Sequence, residues 1–294
     1  MNIDHMIDGY TTLYGLFAHP AAHSLSPLMH NLSFQVRHIN AAYLAFDIDS
    51  DISHAIDSIR LLHMGGVNLS MPLKQTALPY LDTLTAEARL IGAVNTIINK
   101  DGQLIGANTD GTGFFSYLRA NHYEVRDKTA TVLGAGGAGR SIIAAGAAAG
   151  LKIIHVFKRK NGTFAAAADK LKQFEEASKT RIRLHPYGDR EQFRKAISAS
   201  HFLINTTNVG MGSDRGMPLT AAQIDCLPSS VIVCDVIYAP RQTRFLQEAH
   251  RRGCVTMNGL GMLIYQGAES FRLWTGQTMP VEHVEAAIKR KLYG

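Results

Sequence analysis

Long hydrophobic runs and paired cysteines are both missing from this sequence. No stretch of about 18 or more apolar residues occurs, so we expect no membrane-spanning helix and no membrane partner. The N-terminal segment MNIDHMIDGY carries acidic residues where a secretion signal has basic and then apolar ones. The three cysteines, Cys226, Cys234 and Cys254, form no CxxC pair, which argues against a disulfide framework or a zinc site. These absences predict a cytoplasmic protein.

Long stripes of charge of one sign are also missing, and the densest basic clusters are Lys158-Arg159-Lys160 and Arg251-Arg252. Of the 294 residues, 46% are hydrophobic and 18% charged, which is typical of a globular protein and excludes disordered and fibrous classes. The net charge of +6 comes from scattered basic residues without interleaved aromatic ones, so nucleic acid is not an expected partner. His19 and His23 lie four residues apart, but Pro20 interrupts the helix that would align them, so no metal is expected. The length suits two domains, in a monomer or a homodimer.

The first third of the chain alternates strand and helix patterns. The segment SPLMHNLSFQVRHI predicts a helix with Ser26 as its N-cap and Pro27 at its first helical position. Asp101-Gly102 predicts a type I′ turn between two strands, because these residue types accept positive φ angles. A second helix is predicted for DISHAIDSIRLLH, and the predicted strands are TTLYGLFAH, YLAFDI, GVNLS and the two arms of AVNTIINKDGQLIGAN. This order predicts an α/β lobe of parallel strands with an antiparallel addition.

A second alternation begins near Thr129. The segment TATVLGAGGAGRSIIAAGAAAGLKIIHVFKRK contains a strand, a glycine turn, an alanine-rich helix and another strand, within the length of one βαβ unit. HFLINTT and SVIVCDVIY predict two further buried strands, with a helix between Glu191 and Ser200. The C-terminal segments GMLIYQGAESFRLWTG and VEHVEAAIKRKL are predicted helices. We expect the domain junctions within 110–128 and 255–259.

The glycine turn predicts a nucleotide-binding site. Residues 134–139, Gly-Ala-Gly-Gly-Ala-Gly, end a strand and open a helix, where backbone N–H groups can hold a pyrophosphate. At the end of the next strand, Lys158, Arg159 and Lys160 stand where an NAD site has an acidic residue. Cations at this place favour the 2′-phosphate of NADP. A packing turn and a solvated charge cluster are the alternatives.

Polar residues of the first third collect at the predicted strand ends. Ser24 and Ser26 precede a helix, and their hydroxyls with the free N–H groups of that helix suit a carboxylate; alternatively, Ser26 is only the N-cap. The other members of this group are Asn68, Ser70, Lys74, Asn95, Asn108, Thr109 and Asp110. Each alone has a cap or turn explanation, and a lone lysine is usually exposed, but together they suit a polyhydroxylated ligand.

Taken in order, the motifs of this chain resemble the shikimate dehydrogenase family over nearly its whole length. They are Ser24-Leu-Ser26-Pro27, Asn68-Leu-Ser70-Met-Pro72-Leu-Lys74, Gly92-Ala-Val-Asn95-Thr96, Asn108-Thr-Asp110-Gly111, Gly134-Ala-Gly-Gly-Ala138, Asn205-Thr-Thr207, Asp235-Val-Ile-Tyr238 and Gly259-Leu-Gly-Met-Leu263 with Gln266. The segments HSLSP, NLSMP, NVGM and GMLIYQGAESFRLWTG are most similar to the quinate/shikimate dehydrogenase branch. Members of that branch oxidise either acid and can be less strict about their cofactor.

The resemblance implies an α/β fold of two lobes. It implies an N-terminal α/β substrate-binding and catalytic domain of residues 1–110 plus 259–294, and a Rossmann-type doubly wound NADP-binding domain of residues 111–258, with a C-terminal helix returning to the first lobe. Lys74 and Asp110 are implied as the catalytic pair. Implied substrate contacts are Ser24 and Ser26 to the carboxylate, Ser70, Asn95, Asp110 and Gln266 to ring hydroxyls, and Tyr238 beside the substrate. Implied cofactor contacts are Gly134, Ala135, Gly136, Gly137, Ala138, Lys158, Arg159, Lys160, Thr206, Val236 and Gly259.

The sequence departs from the family pattern in two places, Ser70 and the loop of Lys158 and Asn161. Ser70 stands where the family often has threonine, which keeps the hydroxyl. Lys158 and Asn161 replace the usual asparagine-arginine pattern and the aspartate of the quinate/shikimate branch. Loss of that aspartate removes the group that would hold the NAD ribose, so NADP is favoured and NAD remains possible.

Hydride transfer to or from an alcohol carbon also requires a proton to move, and Lys74 is the candidate for this proton transfer. Oxidising a secondary alcohol requires its hydroxyl proton to leave, and the reverse reduction requires a proton for the developing alkoxide. The hypothesis is that Lys74 transfers this proton and Asp110 positions both lysine and substrate. The predicted activity is NADP-dependent reduction of 3-dehydroshikimate to shikimate, in the chorismate pathway of aromatic amino acid biosynthesis. The alternatives are an enzyme acting mainly on quinate with NAD, and a catalytically silent shikimate- or quinate-binding sensor, which would be expected to lack Lys74 or Asp110.

Overall fold

A computed structural model describes residues 7–294 and divides the chain into two compact units. Unit 1 comprises Met1–Gly113 and Ile264–Gly294, and unit 2 comprises Phe114–Leu263. The two points of division fall within helices α5 (Asp110–Ala120) and α11 (Leu260–Thr275). No helix in residues 7–294 is both long enough and apolar enough to span a bilayer.

Unit 1 contains a mixed six-stranded sheet in the order β2-β1-β3-β5-β6-β4. Strand β1 runs parallel to its neighbours β2 and β3, whereas β5 is antiparallel to both β3 and β6. The predicted turn at Asp101 and Gly102 joins β5 to β6, and both residues have positive φ angles, 52° and 88°. The strands are β1 Thr12–Ala18, β2 Ala41–Asp47, β3 Gly66–Leu69, β4 Thr83–Leu84, β5 Thr96–Lys100 and β6 Gln103–Ala107. The predicted parallel lobe with an antiparallel addition is confirmed.

The helices that lie wholly within unit 1 connect these strands or follow them. They are α1 Ser26–Val36, α2 Ile52–Leu61, α3 Leu73–Thr76, α4 Ala86–Ile91 and α12 Val281–Tyr293. The predicted N-cap of α1 is wrong by one residue, because Leu25 occupies the cap position and makes no side-chain cap. Instead, the hydroxyl oxygen of Ser24 accepts the N–H of Ser26 at 3.1 Å. A serine therefore still satisfies a free N–H group at this helix start.

An aromatic cluster around His30 forms part of the unit 1 core. The ring of His30 is fully buried and stacks on Tyr43, with ring centroids 4.5 Å apart. Neither ring nitrogen has a hydrogen-bond partner among the described residues. Burial lowers the pKa of His30 to about 3, so this histidine packs as a neutral ring. The other rings that surround it are Phe34, Phe271 and Trp274.

Unit 2 contains a six-stranded, fully parallel sheet in the order β12-β11-β10-β7-β8-β9. All residues of the central strands β7 and β10 are buried, as expected for a sheet covered on both faces. The strands are β7 Thr129–Leu133, β8 Ile153–Lys158, β9 Arg181–Pro186, β10 Phe202–Asn205, β11 Ile232–Asp235 and β12 Val255–Met257. The helices are α6 Gly137–Ala148, α7 Phe164–Glu176, α8 Arg190–Ser198, α9 Ala221–Ile224 and α10 Arg244–Arg251. This strand order confirms the predicted Rossmann-type, doubly wound architecture.

Candidate active site

Lys74 and Asp110 form an ion pair in unit 1. Lys74 lies in the short helix α3, which follows the buried strand β3, and Asp110 is the first residue of α5. The Lys74 Nζ atom donates to the Asp110 Oδ2 atom at 2.7 Å. The two side chains are 27% and 10% exposed, so the pair is partly shielded from water without being sealed from it. Such a charge-assisted hydrogen bond fixes the ammonium group beside the carboxylate.

Asn95 holds the second oxygen of Asp110. The Asn95 Oδ1 atom accepts the backbone N–H of Thr109 at 2.8 Å, and because that N–H can only donate, it determines which way the amide points. The Asn95 Nδ2 atom therefore faces Asp110 and donates to its Oδ1 atom at 2.8 Å. Both carboxylate oxygens of Asp110 therefore accept hydrogen bonds, one from Lys74 and one from Asn95.

Gln266 joins this group from helix α11. Its Oε1 atom lies 3.3 Å from Asn95 Nδ2. The structure thus brings together four of the predicted site residues, which are Lys74, Asn95, Asp110 and Gln266. Ser70 directly follows β3, where its N–H donates to the carbonyl of Phe17 and ties it to the end of β1.

A buried hydrogen-bond network extends from Asn95 to five further residues, which are Tyr43, Asn68, Thr96, Thr109 and Ser270. Asn68 and Thr109 belong to the polar group identified in the sequence, whereas Tyr43, Thr96 and Ser270 were not predicted as site residues. Ser270 lies one helical turn after Gln266, so an i, i+4 comparison along α11 would have detected it. No comparable sequence pattern predicts Tyr43 as a member of the network, because it lies on strand β2, far in sequence from the other members.

The two predicted carboxylate-binding serines lie at the start of α1. Ser26 is buried, whereas Ser24 is half-buried. Burial raises the pKa of Tyr43, and a hydrogen bond from Ser26 opposes that rise. The Tyr43 hydroxyl in turn donates to Asn68 Oδ1 at 2.8 Å. Ser26 is thereby connected through Tyr43 to the network around Asn95.

In unit 2, the glycine turn joins β7 to α6. Gly134 has a φ of 100°, and a Cβ at Gly139 would lie 2.7 Å from the Thr206 hydroxyl oxygen, so both positions require glycine. In contrast, a Cβ at Gly136 or Gly137 would meet no other atom within 4 Å. The start of α6 therefore faces open space through glycine backbone, with Ala135 and Ala138 in the same turn. This arrangement fits a pyrophosphate at the positive end of a helix.

The basic side chains of the loop after β8 differ in their environment. The Lys158 Nζ atom donates to Asn161 Oδ1 at 2.9 Å and to Thr163 Oγ1 at 2.7 Å, so this lysine is bound within its own loop. Arg159 and Lys160 are exposed. The loop thus presents a guanidinium and an ammonium group to solvent, which fits the 2′-phosphate of NADP.

The remaining predicted residues of unit 2 lie around the end of β11. The Asp235 carboxylate is buried and accepts from Asn205 Nδ2 at 3.0 Å, from the Ile237 N–H at 3.1 Å and from the Thr243 hydroxyl at 2.8 Å. Burial raises the pKa of Asp235 to about 6, against the lowering effect of these hydrogen bonds. These bonds order the segment that contains Val236 and Tyr238.

Gly259 and Thr206 are also tied to this part of unit 2. A Cβ at Gly259 would collide with the backbone of Val236, so glycine permits this close approach of two chain segments. The Thr206 hydroxyl donates to the carbonyl of Leu133 at 2.8 Å, which places Thr206 against the glycine turn. Across residues 7–294, no cluster of three or more His, Cys, Asp or Glu side chains is arranged to hold a metal ion.

Comparison with known proteins agrees with this fold and site. A family model described as "Shikimate dehydrogenase substrate binding domain" matches residues 16–97, and one described as "Shikimate 5'-dehydrogenase C-terminal domain" matches residues 259–289. The chain is 44% identical to a shikimate dehydrogenase (NADP(+)) of Latilactobacillus sakei, over 93% of this chain and 94% of that relative.

Two solved structures extend the comparison. Shikimate 5-dehydrogenase from Listeria monocytogenes, in complex with shikimate and NAD, has a TM-score of 0.92 and 39% identity, covering 98% of this chain and 100% of that one. Quinate dehydrogenase from Corynebacterium glutamicum, in complex with NAD, has a TM-score of 0.85 and 26% identity, covering 95% and 99%. The fold and the paired lysine and aspartate define an NAD(P)-dependent oxidoreductase that acts on a CH–OH group. The chain belongs to the shikimate dehydrogenase family.

Proposed function

We propose that this chain catalyses the reversible, NADP-dependent reduction of 3-dehydroshikimate to shikimate. The observation that carries the proposal is the Lys74–Asp110 ion pair at 2.7 Å, held by Asn95, in a chain of this family. Residues 1–110 and 259–294 form the substrate-binding and catalytic domain, and residues 111–258 form the NADP-binding domain. The division of the chain into two units after Gly113 and after Leu263 supports this assignment.

Lys74 moves the proton in this reaction. In the direction of oxidation its amino group accepts the hydroxyl proton of shikimate, and in reduction its ammonium group returns that proton to the oxygen. Asp110 holds the lysine through Oδ2 and is itself held by Asn95 through Oδ1, so the Nζ atom has a defined position when substrate arrives. The nicotinamide, when bound, supplies or accepts the hydride.

The polar residues of unit 1 bind the substrate. Ser24 and Ser26 hold its carboxylate, because their hydroxyls and the first N–H groups of α1 offer donors at a helix start. Ring hydroxyls are contacted by Ser70, Asn95, Asp110 and Gln266, and Tyr238 of unit 2 lies beside the substrate. Among the hydroxyl-binding residues, Asn95 lies within hydrogen-bond distance of both Asp110 and Gln266, which supports a shared ligand.

Unit 2 binds NADP. The backbone of Gly134, Ala135, Gly136, Gly137 and Ala138 holds the pyrophosphate, with Thr206 behind the turn. Arg159 and Lys160 contact the 2′-phosphate, and Lys158 shapes the loop that presents them. Val236 and Gly259 lie near the nicotinamide, on the segment ordered by Asp235.

Quinate oxidation with NAD is the second candidate function. It is supported by the structural likeness to a quinate dehydrogenase in complex with NAD, and by the NAD in the Listeria complex. Asn161 argues for NADP, because its Oδ1 atom is occupied by Lys158 and Thr163 and its amide group carries no negative charge to hold a ribose hydroxyl. A catalytically silent sensor is disfavoured, because both members of the proton-transfer pair are retained.

A four-way assay tests the proposal. The absorbance of the reduced nicotinamide is followed with shikimate or quinate as substrate, each with NADP or NAD. We expect the highest kcat/KM for shikimate with NADP. A higher value for quinate with NAD would support the second candidate, and no turnover in any of the four pairs would support the sensor.

We propose further that the enzyme works in the cytoplasm as a monomer or homodimer on small-molecule substrates alone. All three cysteines are free, and Cys226 is exposed, which agrees with a reducing compartment. Sedimentation of the purified protein measures the oligomeric state directly.

A further inference from the structure

Ser270 lies at the centre of the buried network in unit 1. Its side chain is completely buried on the face of α11 that also carries Gln266. The Ser270 Oγ atom lies 2.8 Å from Thr96 Oγ1, 3.2 Å from Thr109 Oγ1 and 3.1 Å from Asn68 Nδ2. It also donates to the carbonyl of Gln266 at 3.1 Å, one turn earlier in the helix. One hydroxyl thus contacts four different residues.

A buried helical serine does not need so many partners. Ser33 in α1 is equally buried and satisfies its hydroxyl with a single bond of 2.7 Å to the carbonyl of Met29, one turn earlier. Ser270 makes the same kind of bond and has three further polar neighbours. The additional contacts therefore serve the neighbours, and each of these neighbours borders Asn95.

The hydroxyl of Ser270 acts on its side-chain neighbours chiefly as an acceptor. A serine has one proton, and the bond to the Gln266 carbonyl uses it. The two lone pairs of the oxygen can then accept from two of its three side-chain neighbours at a time, which are the Asn68 amide and the hydroxyls of Thr96 and Thr109. The Thr96 and Thr109 hydroxyl oxygens also lie 3.0 Å and 3.2 Å from the Asn95 Oδ1 atom.

Removal of this acceptor would crowd Asn95. The hydroxyls of Thr96 and Thr109 already lie within donating distance of Asn95 Oδ1, which also accepts the N–H of Thr109 at 2.8 Å, and without Ser270 Oγ these hydroxyls lose a competing acceptor. Three donors would then compete for an oxygen with two lone pairs. The amide of Asn95 would lose its single orientation, and with it the bond from Nδ2 to Asp110.

We propose that Ser270 is a positioning residue for the Lys74–Asp110 pair, acting through Thr96, Thr109 and Asn95. The proposal rests on the proposed function, because it assigns Ser270 to the same reaction. Ser270 does not contact substrate in this role. It keeps the acceptor side of Asn95 uncrowded, so that the donor side of Asn95 holds Asp110 and Asp110 holds Lys74.

The experiment compares Ser270→Ala with Ser33→Ala in the full-length enzyme. Each substitution removes one buried hydroxyl that bonds to the carbonyl one turn earlier in a helix of unit 1. For Ser270→Ala we expect kcat for shikimate oxidation to fall roughly tenfold, because the proton-transfer pair is misplaced by a small distance. Shikimate deuterated at the reacting carbinol carbon should then show a larger isotope effect on kcat than in the wild type, since the chemical step becomes more rate-limiting. Ser33→Ala should leave kcat and the isotope effect unchanged.

Two further substitutions keep the test informative if Ser270→Ala folds poorly. Ser270→Thr keeps the hydroxyl and should restore kcat and the isotope effect to near the wild-type values. Ser270→Cys keeps the approximate size but accepts hydrogen bonds weakly, and should resemble Ser270→Ala. An unchanged kcat and isotope effect in a folded Ser270→Ala or Ser270→Cys enzyme would overturn the positioning role. An inactive wild-type enzyme would instead contradict the proposed function, so the two failures are distinguishable.

Discussion

Lys74 lies in a backbone that is tied on both sides. The N–H of Leu73 donates to the carbonyl of Ser70 at 2.8 Å, and the Leu73 side chain is buried in the core. The carbonyl of Lys74 accepts the N–H of Val94 at 2.8 Å. The lysine is therefore fixed between the end of β3 and the segment before β5, which is also the segment that carries Asn95.

Asp235 shows how a buried carboxyl group links stability to pH. Its pKa of about 6 in the folded protein lies above the ordinary value of 3.8. Between these two pH values the folded state retains a proton that the unfolded state has released, so the free energy of unfolding falls as pH rises. The contribution is complete below an ordinary carboxyl pKa and is lost once the pH passes about 6.

The substitution Asp235→Asn should remove this dependence. The asparagine Oδ1 atom can still accept from Asn205 and Ile237, and the Thr243 hydroxyl can accept from the new amide group. Relative to the variant, the wild type should lose about 1 kcal/mol of unfolding free energy between about pH 5 and about pH 7.5. Urea denaturation of both proteins at the two pH values measures the difference. A constant difference would show that Asp235 is already ionised at the lower pH.

At the scale of elements, the predictions that succeeded depend on local sequence. The β5–β6 hairpin follows from Asp101 and Gly102, because positive φ angles are a property of those two residues. The turn from β7 to α6 follows in the same way from its glycines. Helix α7 and strand β9 were not predicted, although α7 has a regular buried face of Ala167, Leu171 and Phe174.

The candidate site likewise contains residues that local sequence predicts and contacts that it does not. The motif residues Lys74, Asn95 and Asp110 could be found in the sequence, because each lies beside a recognisable strand or begins a helix. The spacing from Gln266 could place Ser270 on the same face of α11, but its contact with Thr96 could not be predicted, since it joins positions 174 residues apart. Such contacts depend on how α11 packs against the sheet, and no local pattern specifies that packing.

The loop between β8 and α7 provides a test of cofactor choice. Because Lys158 is bound to Asn161 and Thr163, Arg159 and Lys160 are the cations of this loop that remain available to a 2′-phosphate, and only Arg159 can bind it through two parallel N–H groups. Arg159→Ala should raise the KM for NADP roughly tenfold, with little change in the KM for NAD. Lys158→Ala should loosen the loop and affect both cofactors alike.

Steady-state kinetics with each cofactor measures these effects, and Lys172→Ala, an exposed lysine of α7, is the matched control. An equal change in both KM values for Arg159→Ala would contradict the assignment of the 2′-phosphate to Arg159.

At the scale of the whole molecule, the charge is unevenly divided. Unit 2 contains 21 Lys and Arg against 11 Asp and Glu, a net charge of +10. Unit 1 contains 9 Lys and Arg against 13 Asp and Glu, a net charge of −4. The overall charge of +6 therefore comes from unit 2, the proposed nucleotide-binding unit. This positive charge should attract NADP, because NADP is a multiply charged anion.

This asymmetry predicts a difference in salt dependence between the two substrates. Added salt screens long-range attraction, so the KM for NADP should rise with ionic strength more steeply than the KM for shikimate. The measurement is a series of initial rates in increasing concentrations of potassium chloride. A steeper rise for shikimate would mean that the charge of unit 2 does not serve nucleotide binding.

Lys74 is the residue proposed to accept the hydroxyl proton of shikimate in oxidation and to return it in reduction. The most direct measurement is kcat for shikimate oxidation with NADP in Lys74→Ala, beside the control Lys100→Ala, which removes a lysine at the end of β5 in the same unit. We expect kcat to fall roughly 10²- to 10⁴-fold in Lys74→Ala, with unchanged NADP binding and a folded protein. The Lys100→Ala enzyme should keep its activity. A folded Lys74→Ala enzyme with near-normal kcat would contradict the account.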